Sequence, residues 1–515
     1  MHWHFMSAMP LLSRADRNLA ETISALAHCN PFLPERIALE RTALGSEFVA
    51  EKADWNRHAE SAGEHPNVQR LLERAERLVI GLRAKLGAGE RATPDELARY
   101  EDLVLFVLYH RHRNDFERDR FTRERVRCYA EFRRTADTFF AETPLAQTCD
   151  LPHAFACCYQ VRRAFHHIFS NIVGSSNAVA RLRASVWQSI FTHDLRRYRR
   201  VLFKHMGDLT TLITGPSGTG KELVARAIAY ARYVPFEEAQ QRFDVPDTEL
   251  FFALNVSALA STLVESELFG HRRGSFTGAV QDRPGWLELC PVSGSVFLDE
   301  VGDIEASVQV KLLRVLQTRL FQRLGESNSR RFNGKIIAAT NRDLGQEIAA
   351  GRFRADFYYR LCSDVVCTAS LREQLGESSD ELRRLVLFIV KRFLGHEEAE
   401  QVSDEVVARI DQHLGAQYPW SGNFRELEQC VRNVLVRKEY RGVHIPPTSA
   451  HDELAAGVRS GSLTAEELLR RYTCLVHAQT DNIEETARRM DLDRRTVKAR
   501  VDRELVKEFR TMAER

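Results

Sequence analysis

With 515 residues the chain exceeds what one hydrophobic core supports, so about two to four domains are expected. Lys and Arg number 73 against 71 Asp and Glu, a net formal charge of +2, which excludes a uniformly basic coat and confines any nucleic-acid surface to a local patch. The 10 cysteines form no Cys-x-x-Cys framework, Met1-His2-Trp3-His4-Phe5 lacks the layout of a secretory signal, and apolar runs such as Leu103 to Tyr109 are far too short to span a membrane; a reduced, cytoplasmic protein is expected.

From the start to about residue 169 there is no Gly-rich loop and no alternating strand pattern, while apolar residues recur at helical spacing through Val68 to Leu86, Leu97 to Tyr109 and Tyr129 to Phe140. An all-helical domain is predicted there. The run from His110 to Arg127 alternates acids with bases and reads as a salt-bridged helix rather than a nucleic-acid face. His153, Cys157, Cys158, His166 and His167 fit no zinc spacing, so helix packing is preferred to a metal site. Arg196, Arg197, Arg199 and Arg200 read as a solvated face or an interdomain contact before a DNA surface.

Gly215-Pro216-Ser217-Gly218-Thr219-Gly220-Lys221-Glu222 lies between the β-branched run Leu209 to Thr214 and the helix-favouring Leu223 to Ala229. Strand, glycine turn and helix make a phosphate loop, in which backbone N–H groups and the helix N-terminus face an anion and Lys221 reaches the outer phosphates; the bland alternative is a glycine turn alone. Glu222 stands where a Ser or Thr usually meets magnesium, so a metal must be held otherwise. Further strand-like runs at Phe251 to Val256, Ser295 to Leu298, Lys335 to Thr340 and Asp364 to Thr368 alternate with helical patterns, as in a parallel sheet wrapped by helices.

The run at Ser295 ends in Asp299 and Glu300, suited to holding magnesium and to activating a water. Asn341, just beyond Thr340, suits a sensor of the γ-phosphate and equally a strand-end turn. In Gly274-Ser275-Phe276-Thr277-Gly278-Ala279 the glycines flank an apolar tip with no evident core to join. Leu382 to Leu394, Ser403 to Gln417 and Asn423 to Lys438 read as a helical lid, and the Pro- and Gly-containing stretch from His444 to Gly461 as a linker. At the end, a helix over Ile483 to Met490, a turn at Asp491 to Asp493 and a helix over Arg494 to Leu505 describe a helix-turn-helix or a helical hairpin without DNA. Arg494, Arg495, Thr496 and Lys498 are the recognition candidates.

Glu265-Ser266-Glu267-Leu268-Phe269-Gly270-His271 followed by Gly-Ser-Phe-Thr-Gly-Ala resembles the signature of the sigma-54-dependent transcriptional activators, the bacterial enhancer-binding branch of the AAA+ ATPases. Ser275 replaces the family's alanine, and further matching runs at 218–222, 297–300, 338–344, 353–361 and 420–428 extend the resemblance over about residues 170–442. The resemblance implies that Glu222 is a family mark, that Asn255 restrains Glu300, and that Asn341 belongs to sensor I. It further implies that Arg354 and Arg360 are arginine fingers given to a neighbouring subunit and Arg425 the sensor II arginine. Two departures stand out: extra residues around Pro235 to Asp247, and no Pro-rich segment near Ser370-Leu371-Arg372-Glu373.

The expected fold class is multidomain: an all-α N-terminal regulatory domain (1–169), an α/β AAA+ P-loop subdomain (170–370), a helical lid (371–443), a linker (444–462) and a Fis-like helix-turn-helix (463–515). The resemblance implies ATP and Mg2+ as cofactors, enhancer DNA and sigma-54 RNA polymerase as partners, and assembly from dimer to hexamer ring, with Phe276 and Thr277 touching the sigma factor. The alternatives are a DNA-binding repressor retaining the fold and an AAA+ remodeller of another target. No receiver-like strand ending in a phosphorylatable Asp appears in the N-terminal third.

Overall fold

Five short strands, each an apolar or β-branched run, build one sheet: β1 (Thr211–Thr214), β2 (Phe251–Asn255), β3 (Ser295–Asp299), β4 (Lys335–Thr340) and β5 (Asp364–Cys367). Their spatial order is β5-β1-β4-β3-β2, and every pairing is parallel. The computed structural model describes residues 11–50, 66–118, 125–244, 250–377, 380–415, 418–440 and 450–510.

Strand periodicity divides the apolar residues between two cores. Leu212, Val296, Leu298, Ile336 and Ala338 face the helices Ser261–Phe269 and Ala306–Thr318, whereas Ile213, Phe297, Ile337, Ala339 and Val366 face Asn177–Phe191 and the phosphate-loop helix Lys221–Tyr230. Burial on both faces explains why these strands are continuous apolar runs rather than alternating ones. Register sets Thr214 opposite Thr340 and Asn255 opposite Asp299, so the strand ends share one edge, where ligands bind in sheets of this kind.

The N-terminal helices Arg14–His28, Pro66–Gly87, Pro94–Arg118 and Tyr129–Phe140 enclose a core including Leu82, Leu103, Phe116 and Phe132, and Glu35–Leu44 packs beside it through Ala43 and Leu44 against Leu71. Two of them begin at proline, which suits a first helical turn, so they start earlier than the periodicity alone indicates. The helix Leu151–Asn171 serves both sides: Phe155 and Tyr159 join the N-terminal core, Ala164 and Ile168 the core against the sheet. The Arg196 to Arg200 cluster divides: Arg197 and Arg200 are exposed, while Arg196 and Arg199 make internal contacts. Arg196 pairs with the buried Asp102, which also accepts from Ser24 (2.8 Å) and pairs with His28 (2.9 Å), and Arg199 pairs with Glu101 at 2.8 Å. Burial raises the Asp102 carboxyl, but the His28, Ser24 and Arg196 contacts outweigh it and hold the carboxyl below the usual range. Of the expected salt-bridged stretch 110–127, Arg111–Glu76 (2.5 Å) and Arg118–Asp115 (2.6 Å) are formed, while 119–124 lie outside the described residues.

The helices of the expected lid are Leu371–Leu375, Glu381–Leu394, Ala399–His413 and Asn423–Arg437, the first held by a reciprocal capping box of Ser370 and Glu373. Residues up to 438 form one compact unit and residues 439–515 another. In the second, Ala450–Ser460 is helical within the stretch expected as a linker, because Leu454 is buried against Cys474, Val506 and Phe509; residues 444–449 lie outside the described residues. The helix expected to reach Leu505 stops at Arg500: Val501 is extended and the Asp502 carboxylate accepts from Glu504 N (3.0 Å), starting the separate helix Arg503–Arg510. Among the described residues no helix is long and apolar enough to cross a membrane.

Candidate functional site

Between β1 and its helix the chain turns through Gly215, Gly218 and Gly220, all with positive φ, leaving Pro216 and Ser217 at an exposed tip. A Cβ at Gly218 would stand 2.3 Å from Gly422 O of the lid, so glycine is required both by backbone conformation (φ 78°) and by the close approach. Lys221 opens the helix, buried, with Nζ donating to Gly215 O and Pro216 O at 3.1 Å each. Thr219 Oγ1 donates to Pro216 O at 2.8 Å, tightening the loop. Glu222 points along the helix to Arg226, one turn on, at 2.8 Å.

The paired carboxylates stand at the end of β3. Burial pushes the Asp299 carboxyl above its ordinary value, and the neighbouring Glu300 charge adds to this while Lys221 opposes it. Glu300 sits in the left-handed region (φ 54°, ψ 45°), a conformation costing roughly 1–2 kcal/mol for a residue of this kind, and its Oε2 is buried without a hydrogen-bond partner. Burial also lowers the Lys221 ammonium, with Glu300 and Asp299 pulling it back up and Arg425 of the lid pushing it further down. Four sequence-derived residues, Lys221, Asp299, Glu300 and Arg425, therefore share one electrostatic environment. That arrangement offers cationic and backbone N–H groups to an anion, a carboxylate to a divalent cation, and a free carboxylate oxygen to a proton.

The remaining expectations divide. Asn255 ends β2 beside Asp299, yet its Oδ1 accepts from Ser257 N (3.1 Å) and Oγ (2.8 Å), capping the turn Val256–Ala258. Asn341 is exposed, immediately beyond β4. Arg354 is exposed and bound to Asp356 through Nε (3.0 Å) and Nη2 (2.7 Å), and Arg360 is exposed with its carbonyl accepting from Thr210 Oγ1 at 2.7 Å. Among the described residues no hydrogen bond or ion pair joins either guanidinium to Lys221, Asp299 or Glu300.

Two residues at the lid's junctions escape sequence reasoning. Asn423 is buried with φ 53°; its Nδ2 donates to Ser217 O (2.9 Å), its Oδ1 accepts from Leu371 N (2.8 Å), and the adjacent Phe424 N donates to Gly218 O (3.0 Å). Glu381, also buried, accepts from Ser175 N and Oγ at 2.8 and 2.6 Å, at the N-terminus of the helix Asn177–Phe191. A Gly-Asn pair opening a helix was a local signal for the first; nothing local pointed to the second.

The Phe276 loop is a hairpin, with Gly270–His271 paired to Arg283–Pro284 and Gly274 N donating to Ala279 O at 2.8 Å. Phe276 is half-buried, not free as the sequence suggests, because the His271 ring meets it edge-on at 5.0 Å. Ser266 Oγ fixes that ring through Nδ1 at 2.8 Å. Thr277 and Val280 remain exposed. A neighbouring hairpin, Leu320–Phe321 with Arg330–Arg331, is joined to it by Arg272 N to Leu324 O (3.0 Å) and Leu324 N to Gly270 O (2.9 Å). In the C-terminal unit Val497 is buried while Arg494, Arg495 and Lys498 are exposed and Thr496 is half-buried; Arg494 pairs with Glu484 at 2.8 Å.

His153, Cys157 and their neighbours serve packing: His153 contacts Tyr233 Oη and Arg199 O at 2.8 Å each, with Cys157 Sγ 3.6 Å from Nε2.

Residues 190–366 match the family model of the Sigma-54 interaction domain. A Nif-specific regulatory protein of Enterobacter agglomerans is 43% identical over 230 residues, covering 44% of this chain and 40% of that protein. The regulatory protein LuxO of Vibrio parahaemolyticus is 39% identical over 242 residues, covering 46% of this chain and 48% of that protein. The matched stretch thus spans less than half the length of these relatives. Among solved structures, NtrX from Brucella abortus aligns with a TM-score of 0.38 at 25% identity, covering 67% of this chain and 71% of that one. The matched residues 190–366 contain the phosphate loop, both carboxylates, the Phe276 hairpin, Arg354 and Arg360, so it is this stretch of the chain that is similar to the Sigma-54 interaction domain.

Proposed function

We propose that the chain binds and hydrolyses ATP at the shared strand edge, and that a ring of its copies uses the energy to remodel RNA polymerase carrying sigma-54. The observation that carries this is the gathering of Lys221, Asp299, Glu300 and Arg425 around a glycine loop, with a buried Glu300 oxygen left unpaired. Loop N–H groups and Lys221 would hold the phosphates, Asp299 a magnesium ion that supplies charge neutralisation, and Glu300 would accept the proton of an attacking water. The pairing of Glu222 with Arg226 leaves Asp299 as the carboxylate available to a metal, which answers the departure at position 222.

Arg354 and Arg360, exposed on the short helix segment around Ala355–Leu361, suit fingers offered to a neighbouring copy, which makes hydrolysis depend on assembly. Thr277, exposed on its hairpin, is the contact for sigma-54, and the exposed Arg494, Arg495 and Lys498 form the face toward enhancer DNA, with Thr496 beside them. A cytoplasmic location follows from these partners. Glu300→Gln is expected to bind ATP without turnover, and Arg354→Ala to bind with turnover lost; ordinary hydrolysis in either variant refutes the assignment of that residue.

A further inference from the structure

The phosphate-loop helix carries Lys221 at its first residue and ends at Tyr230, and its far end is held by side chains that come from the helix Leu151–Asn171. Gln160 and Arg163 are 1% and 8% exposed. Gln160 Nε2 donates to Ala231 O at 2.9 Å and to Tyr198 Oη at 2.7 Å, and Arg163 Nη2 donates to Tyr230 O. The Tyr230 and Ala231 carbonyls are of the kind a helix leaves unpaired at its C-terminus, and a guanidinium there complements the helix dipole. Among the described residues, Arg163 meets the Tyr230 carbonyl and the Tyr159 ring at 5.9 Å in an otherwise desolvated position.

Immediately after the helix the extra residues that separate Lys221 from Asn255 form the hairpin Phe236–Glu237 with Arg242–Phe243. It belongs by sequence to the sheet domain but packs into the N-terminal helical core. Phe236 stands 4.5 Å from Tyr129 and 4.7 Å from Phe155 between ring centroids, and Phe243 stacks on Tyr159 at 4.0 Å. Polar contacts bind its rim: Val126 N to Gln241 O at 2.7 Å, Tyr129 Oη to Glu238 at 2.8 Å, and an Arg133–Glu238 ion pair.

We propose that Arg163 and Gln160 are positioning residues for the phosphate loop: the helical N-terminal part grips the phosphate-loop helix at its C-terminal end, the inserted hairpin fastens that grip, and the grip sets the affinity for nucleotide at the other end. The proposal rests on the nucleotide reading above. A helix of 10 residues is a rod about 15 Å long, so displacing one end displaces the other. Coupling of this kind is reciprocal: nucleotide at the loop tightens the docking of the hairpin by the same factor.

The test uses the full chain and MgADP. Arg163→Met keeps the volume and removes charge and donor, and is expected to weaken MgADP binding roughly 5- to 30-fold, raising KM for ATP by a similar factor with kcat within about twofold. Arg163→Lys keeps a cationic donor and should return affinity to within about threefold of the wild type. In the wild type, MgADP should slow amide exchange of residues 126–133 and 236–243, which lie at the opposite end of the helix from the loop. Wild-type binding with unchanged affinity in a folded Arg163→Met overturns the grip alone. Should that variant not fold, unchanged exchange at the hairpin overturns it. Absence of any nucleotide binding by the wild type overturns the nucleotide reading and this proposal with it.

Discussion

Asn423 makes two bonds of opposite polarity, one to Ser217 of the phosphate loop and one to Leu371 within the lid, and changing the first alone isolates what the junction contributes. Asn423→Asp keeps an oxygen for Leu371 N but places a carboxylate oxygen against Ser217 O, where an N–H donates at 2.9 Å. The lost bond is worth about 1 kcal/mol, and the carboxylate facing the carbonyl of the exposed Ser217 adds a repulsion that water screens, so opening of the loop should become easier by ~1–2 kcal/mol. Asn423→Ala loses both bonds and adds the ~1–2 kcal/mol cost of a left-handed alanine at φ 53°, a cost that Asn423→Gly omits. Amide exchange with peptide-level resolution reads each part. In Asn423→Asp the Leu371 amide should stay protected while the Phe424 amide, which donates to Gly218 O of the loop, exchanges ~5- to 30-fold faster; in Asn423→Ala both should be exposed. Phe424 exchange within twofold of wild type in Asn423→Asp would refute the reasoning.

Lys335 is buried, with its pKa pushed down to about 7 by burial and the nearby Arg232 charge. The unfolded chain therefore holds a proton that the folded protein has released between about pH 7 and pH 10, so the Lys335 contribution to stability rises with pH in that window. Lys335→Met should stabilise most against wild type near pH 6–7 and progressively less toward pH 9 in urea unfolding; a pH-independent difference contradicts the buried, depressed ammonium. Glu381→Gln removes the carboxylate that accepts from Ser175 N and Oγ, and a loss of ~1–2 kcal/mol in unfolding free energy is expected, with no loss pointing to a weak junction. Thr277→Ala should retain ATP hydrolysis while losing sigma-54 capture and open-complex formation, and normal transcription activation would assign the hairpin another task.

Local chemistry made the sheet and half the site legible. The strands stand out because a parallel sheet buried on both faces needs uninterrupted apolar runs, as at Ser295 to Leu298 and Lys335 to Thr340. The loop from Gly215 to Lys221, and Asp299 with Glu300 at a strand end, are recognisable because neighbouring residues alone set their backbone path. Composition alone, with Pro446, Gly457 and Gly461 in view, suggests a linker where Leu454 finds a core, and misses Asp502 as the start of a new helix.

What the sequence by itself determined was the chemistry: a glycine nest, a lysine, two carboxylates and the exposed arginines, each defined by residue type and short spacing. Tertiary structure alone decided what those groups answer to. Asn423 reaches Ser217 across 206 positions, Glu381 reaches Ser175 across the same separation, and Arg163 meets Tyr230 from another helix. Phe276 settles on His271, and the inserted hairpin settles in the N-terminal core, because buried aromatic surface goes wherever the fold offers a complementary face. Such pairings depend on which surfaces the chain brings together at a distance, and local spacing carries no record of that choice.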